Sequence, residues 1–283
     1  MQATIGVVGN GFVGNAVAKG LQDKVTEVRI YDIDKEKSTH GYLETISSDY
    51  IFVCLPTPMT SAEGGTCNLS IIEGFFDELP STVEGIMVLK STVPIGTTHK
   101  LIEKCPFLKL VHNPEFLTAA NAEQDFIEAD RHVIGGEDDG LVEQVERFYN
   151  ACFPETPVYT MKTKESEAVK YFANSFLATK VMIFNEMKIL CDDILDVDYD
   201  RILEGVASDN RIGHSHTFVP GPDGDYGFGG TCFPKDINAL IHTMEEHGVN
   251  PLVLKAVWEQ NKNYRKKWDW AESSSAVMSE NIL

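Results

Sequence analysis

The chain has 283 residues, 43% hydrophobic and 24% charged, which suits a soluble globular protein with room for two domains. Its 43 acidic against 24 basic side chains leave a net charge of −19. That argues against nucleic acid or an anionic membrane surface as the main partner, though not against a small anion in a locally positive pocket. No apolar run approaches the ~20 residues of a membrane span, and no basic-then-apolar leader opens the chain. Six scattered cysteines (Cys54, Cys67, Cys105, Cys152, Cys191, Cys232) show no metal-ligand or disulfide spacing. Free thiols in a reducing cytoplasm, and no metal, are expected.

Residues 3–8 read as a buried parallel strand, apolar on both faces. Gly9-Asn10-Gly11-Phe12-Val13-Gly14 follows, then a helical pattern through Leu21, then a second strand, Glu27–Tyr31, that ends in Asp32. Gly9 allows a tight turn, Gly11 lets a pyrophosphate approach backbone at the helix N-terminus, and Gly14 lets helix and strand pack closely. Asp32 can accept from both ribose hydroxyls and would repel a 2′-phosphate, so NAD is expected rather than NADP. A lone GxGxxG is weak; the flanking strands and the acid give it force.

Further strands are expected at Tyr50–Leu55, Ile86–Leu89, Leu108–His112, Arg131–Ile134 and Pro157–Thr160. Helical patterns such as Ser70–Leu79 and Leu141–Tyr149 fall between most of them. The alternation predicts an α/β fold: a doubly wound parallel sheet, Rossmann-like, over residues 1–160, with ligand beyond the carboxyl ends of the strands. Those ends carry Pro56-Thr57-Pro58, Ser91-Thr92-Val93-Pro94 and Asn113-Pro114-Glu115-Phe116. Each alone reads equally well as a strand-terminating turn.

From Lys164 the pattern changes to long helices, predicting an all-helical central domain over 161–270 and a mobile tail over 271–283. Glu165–Cys191 is one continuous helical stretch on which Lys170 and Asn174 share a face. On spacing alone Lys170 reads as an exposed lysine. A short helix is expected at Asp198–Ala207 and a last one at Pro251–Trp268. Between them, a Gly- and Pro-rich segment ends in Asp225-Tyr226-Gly227-Phe228-Gly229-Gly230-Thr231-Cys232-Phe233-Pro234-Lys235-Asp236. Pro234 suits the first position of a helix opening just after Cys232. A thiol beside a helix N-terminus and a lysine is where a thiol pKa falls and the thiolate becomes a nucleophile. A buried cysteine closing a glycine turn is the competing reading.

The motifs at 9–14, Leu55–Pro58, Lys90–Thr98, Asn113–Leu117, Lys170–Ala178, Arg211–Gly213 and Gly227–Asp236, in that order, resemble the UDP-glucose/GDP-mannose dehydrogenase family over nearly the whole chain. The resemblance implies a four-electron oxidation of a sugar primary alcohol to a carboxylate by two NAD⁺, with UDP-glucose as substrate. It makes Cys232 the nucleophile of a thiohemiacetal and then a thioester, and Glu115 the acid/base for thioester hydrolysis. Lys170 and Asn174 become stabilisers of the reacting oxygen, Asp236 an acid that orients water near the thiol, and Thr92 a junction residue between cofactor and substrate. Cofactor contacts are implied at Gly9 to Gly14, Asp32, Lys37, Pro56, Thr57, Ser91, Thr92 and Lys235. Substrate contacts are implied at Phe116, Leu117, Thr118, Tyr226, Phe228, Gly229 and Gly230. Arg211 would reach a neighbouring subunit's site, so a homodimer built on the 165–191 helix is implied as well.

Two departures from the family pattern stand out. Many relatives carry a glutamate four residues after the one at 115, where this sequence has Ala119. The family's third, C-terminal domain over the nucleotide is not part of this sequence, which ends at Leu283. The same chemistry on GDP-mannose or a UDP-N-acetylhexosamine, or a non-catalytic NAD- or sugar-nucleotide-binding relative, are the alternatives.

Overall fold

The computed structural model describes residues 1–118 and 121–278. The chain forms two compact units, Met1–Thr57 with Leu69–Lys170 and Pro58–Asn68 with Tyr171–Leu283. The first thus runs ten residues past the expected end at 160, and the short segment 58–68 groups with the later helices.

Seven strands make one sheet in the first unit: β1 (Thr4–Val8), β2 (Glu27–Tyr31), β3 (Tyr50–Val53), β4 (Ile86–Leu89), β5 (Lys109–His112), β6 (His132–Gly135) and β7 (Val158–Met161). Their spatial order is β2-β1-β3-β4-β5-β6-β7. Six α-helices accompany them among the described residues: α1 (Phe12–Leu21), α2 (Tyr42–Ile46), α3 (Ser70–Asp77), α4 (Thr97–Lys104), α5 (Ala122–Ile127) and α6 (Asp139–Cys152). The central strands are apolar throughout because helices cover both faces. Alternate residues feed two cores: Phe52 and Val88 pack with Val17, Leu21 and Phe148 of α1 and α6, whereas Ile51, Val53, Met87 and Leu89 pack with Ile72, Phe76 and Leu101 of α3 and α4.

One pair departs from the all-parallel expectation: β5 and β6 run antiparallel, meeting at His112 and Gly135. A parallel neighbour needs a crossover helix laid over the pair. The only helix between these strands among the described residues, α5, instead packs against α1, where a Cβ on Gly20 would lie 2.3 Å from the Phe126 ring.

Helix α7 (Thr163–Ile189) starts in the first unit and contributes to the second from Tyr171 onward. A π-helical turn, Leu190–Leu195, extends it, followed by α8 (Tyr199–Ala207), α9 (Cys232–Glu246) and α10 (Leu252–Tyr264). The last helix stops four residues before the expected Trp268, and a separate 3-10 turn spans Asp269–Glu272. Met182, Ile237, Ile241, Trp258 and Trp270 form the core of this unit, together with Met59 from the segment 58–68. The Trp258 indole N–H donates to Glu63 O at 2.9 Å and that of Trp270 to Ala62 O at 3.0 Å. The tail is anchored at its start rather than loose: Met59 N donates to Ala276 O at 2.6 Å, Met278 N donates to Met59 O at 2.9 Å, and Ala276 is fully buried.

Candidate active site

Of the residues expected to contact the cofactor, Lys235 falls in the second unit and the others in the first, beyond the carboxyl ends of β1 to β4. Gly11 precedes α1, no side chain caps that helix, and a Cβ added at Gly11 would meet nothing within 4 Å. The first-turn N–H groups, including those of Phe12 and Val13, are therefore available to an anion. Gly14 is a true close approach: a Cβ there would lie 1.9 Å from Gly9 O, so only glycine lets α1 sit so near β1. Asp32, one residue past β2, accepts from Asn10 N at 2.6 Å and from Asp34 N at 2.9 Å, which sets its carboxylate beside the glycine turn. The Asn10 side chain donates to Lys37 O at 2.8 Å, while its Oδ1 is buried without a partner among the described residues. The Lys37 ammonium itself lies 3.7 Å from Asp34. An open pyrophosphate edge, a ribose acceptor and an unused buried acceptor fit NAD.

Thr57 and Ser91 have another task. Thr57 Oγ1 donates to Thr92 O at 2.7 Å and Ser91 Oγ to Leu55 O at 2.7 Å, tying the ends of β3 and β4 together. Thr57, Ser91 and Thr92 are all buried, while Pro56 is exposed.

Beyond β5 the chain turns at Asn113-Pro114-Glu115. Glu115 is buried, and Lys170, from α7, is buried with it. The Lys170 ammonium donates to Glu115 Oε1 at 2.9 Å and to Glu115 O at 2.7 Å, and Leu117 N donates to Oε2 at 2.6 Å. Lys170 is therefore not the exposed lysine that helical spacing alone suggests; helix α7 turns it into the protein. The ring of Phe116 lies 5.5 Å from that ammonium and 4.2 Å from the Arg131 guanidinium, cation–π distances that hold it in place. Leu117 belongs to the core, and Thr118 gives both its N–H and its hydroxyl to Asp125. Ala119 lies outside the described residues.

The second unit holds the nucleophile candidate. Helix α9 begins at Cys232 itself, not after it, so Pro234 falls within the first turn, where a missing N–H costs no helical bond. Asp236 is fully buried; its Oδ2 accepts from Asn174 Nδ2 at 2.6 Å and its Oδ1 from the Lys235 ammonium. Burial opposes the charge on Lys235, but attraction to Asp236, and then to the sulfurs of Cys232 and Cys67, outweighs it and raises the lysine's pKa. Attraction is mutual, so the same ammonium favours negative charge on sulfur.

The glycine loop before Cys232 is gripped from behind by side chains that the sequence did not single out. Gly227 N donates to Asn185 Oδ1 at 2.8 Å, and Phe228 N and O are both taken by the Asn261 amide, at 2.7 and 3.0 Å. Gly230 N donates to Asp269 Oδ2 at 2.9 Å. At Gly229 a Cβ would come within 2.5 Å of Arg265 Nη2 and of Asp269 Oδ1, so the loop needs glycine there to lie against the clamp. Arg265 is buried and paired with Asp223 at 2.5 Å and Asp269 at 3.1 Å. The ring of Phe228 packs in the core beside Phe233 and Trp258, and its backbone is bonded to Asn261. Tyr226 is half-buried, and Arg211 stands far out of the surface, 89% exposed, paired only with Asp209 among the described residues. Among the described residues no group of three metal-ligating side chains occurs, and no helix is long and apolar enough to cross a membrane.

These features define a dinucleotide-binding α/β unit joined to a helical unit that presents a thiol at a helix start. Residues 38–153 match the NAD binding domain, and residues 164–263 the central domain, of the UDP-glucose/GDP-mannose dehydrogenase family. The chain belongs to that family. It is 31% identical to a UDP-glucose 6-dehydrogenase of Pseudomonas aeruginosa over 92% of its own length, and 34% identical to one of Rickettsia prowazekii over 81%. It spans 65% and 53% of those relatives' lengths. Among solved structures it is similar to a UDP-glucose dehydrogenase from Pyrobaculum islandicum, with 29% identity and a TM-score of 0.77 over 93% of this chain and 68% of that one.

Proposed function

We propose that the chain oxidises UDP-glucose to UDP-glucuronate with two NAD⁺, as the names of its relatives suggest. The observation that carries this reading is Cys232 as the first residue of α9, with Lys235, Asp236 and Asn174 bonded together one turn on. NAD⁺, held by residues 9–14 and Asp32, supplies the hydride acceptor for each oxidation. Everything else is done by side chains. The Cys232 sulfur adds to the aldehyde carbon as a thiohemiacetal, which becomes a thioester when it is oxidised. Lys170 and Asn174 donate hydrogen bonds to the oxygen that gains negative charge. Asp236 takes the thiol proton, and Glu115 takes one from the water that cleaves the thioester. The balance is one alcohol, one water and two NAD⁺ giving one carboxylate, two NADH and three protons.

Enzyme incubated with limiting UDP-glucose and excess NAD⁺ is expected to yield two NADH per sugar. One NADH, or no absorbance change, would overturn the reading. A panel with GDP-mannose and UDP-N-acetylhexosamines checks the substrate: a higher kcat/KM on either reassigns it.

We also infer a homodimer. Along α7 and its π-turn, Phe172, Phe176, Ile183, Met187, Leu190 and Ile194 are exposed, with Phe176 69% and Ile194 72% exposed. Their spacing of three, four or seven residues puts them on one stripe, too apolar for a solvated face. Light scattering should give twice the chain mass, and Phe176→Glu should give the monomer; a wild-type monomer at micromolar concentration would refute the dimer.

A further inference from the structure

Lys90 follows β4 directly and is 3% exposed, yet the reaction described above gives it no role. Its ammonium carries three N–H donors. Among the described residues its one hydrogen-bond acceptor is Asn113 Oδ1, at 2.9 Å, and the Phe126 ring 5.8 Å away adds only a weak attraction. Asn113 is the first residue of the turn that carries Glu115. It is fully buried, and the Tyr149 hydroxyl also donates to its Oδ1, at 2.5 Å, while its Nδ2 donates to Val133 O at 2.7 Å.

The groups around Lys90 do little to offset its charge. His112, on β5, and His132, on β6, are each pushed down to about 3 by burial and then by Lys90, so both are neutral. Burial pushes the Cys54 thiol, after β3, up to about 12 and raises the Tyr149 hydroxyl of α6, so neither is ionised. Lys170 pairs with the Glu115 carboxylate at 2.9 Å, and Lys90 feels the charge of the same carboxylate without bonding to it among the described residues. Burial brings Lys90 itself down from 10.5 to about 8; the charge of Glu115 opposes the fall, and Lys170 adds to it. A methionine of similar stem would fit such a site without the penalty of an incompletely satisfied buried cation.

We propose that Lys90 is a positioning residue for the proposed base: its ammonium fixes Asn113, and with it the turn bearing Glu115, and supplies the second positive charge that keeps Glu115 a carboxylate. The inference rests on the reading of Glu115 as the base. It predicts a site kept at the expense of stability. Because the folded-state lysine titrates lower than the unfolded one, the unfolded chain binds more protons between about pH 8 and 10.5, and wild-type stability gains from this group as pH rises through that window.

In Lys90→Met, with the full chain and NAD⁺ present, the thermal midpoint at pH 7 should stay the same or rise, and the gain between pH 8 and 10.5 should disappear. The kcat/KM for UDP-glucose should fall at least tenfold, its acid limb should move to higher pH, and KM for NAD⁺ should not change. Lys90→Gln should behave likewise and guards against a poorly packed methionine. A lower midpoint with an unmoved acid limb would make Lys90 merely structural, and an unmoved kcat/KM would make it dispensable; either result overturns the proposal. If the wild type makes no NADH from any sugar nucleotide, the reading of Glu115 fails first and the proposal falls with it. An active wild type with an unshifted variant condemns the proposal alone.

Discussion

Cys232→Ser is expected to cut carboxylate formation by on the order of a thousandfold or more, about 4 kcal/mol of barrier, while leaving NAD⁺ affinity unchanged. A hydroxyl is far less nucleophilic than a thiolate, and it gains little from the Lys235 ammonium, whose field favours charge on sulfur. Serine is nearly isosteric, and Cys232 is only half-buried at the first position of α9, so the fold should not change. The dinucleotide residues 9–14 and Asp32 belong to the other unit, which is why affinity for NAD⁺ should survive. Quantifying uronate by chromatography, alongside NAD⁺ titration, checks both halves. Undiminished product would remove the cysteine from the mechanism.

The second large effect should come from Lys170→Met. Its ammonium and the Glu115 carboxylate are 2% and 5% exposed and 2.9 Å apart. Removing one partner of such a pair strands the other charge in the interior, at a cost of ~3–5 kcal/mol. Here the lower end is expected, since Lys90 remains nearby as a second cation. At ~2–4 °C per kcal/mol for a unit of this size, the melting temperature should drop by ~6–12 °C. Activity should fall ~100-fold or more, because the proposed donor to the reacting oxygen is lost. The double variant Lys170→Met/Glu115→Gln should recover most of the stability and none of the activity. A single variant as stable as wild type would mean that the pair is not held as ions.

Much of the first unit was legible because its signals are local. Strand β4 begins and ends where its apolar run does, strand β2 has the expected bounds Glu27–Tyr31, and the glycine turn with Asp32 is a contiguous pattern. The antiparallel β5–β6 pair was not legible, because it depends on where α5 packs, which no local pattern records. Lys170 looked exposed because helical spacing gives a face but not what covers it. The clamp on the glycine loop was hidden for a related reason: Asn261 bonds Phe228 across 33 residues of sequence and Asn185 bonds Gly227 across 42. An asparagine on an amphipathic helix gives no sign of such a partner. The packing of Phe228 was hidden in the same way, since its neighbours in the core come from α9 and α10. The dense apolar stripe on α7 was visible in sequence as hydrophobic content, but only burial shows which of its residues are left uncovered.

The segment 58–68 carries a consequence for how the molecule is made. It leaves the ribosome more than a hundred residues ahead of α9 and α10, whose unit it completes. The strands on either side of it, β3 and β4, can pair early, with this segment looped out between them. Only after Trp258 and Trp270 are synthesised do their indole N–H groups reach the carbonyls of Glu63 and Ala62, and only then is Met59 buried. The unit of the candidate nucleophile is therefore closed by a piece of chain translated long before that cysteine, and no contiguous stretch of the gene that begins at β4 can encode that unit whole.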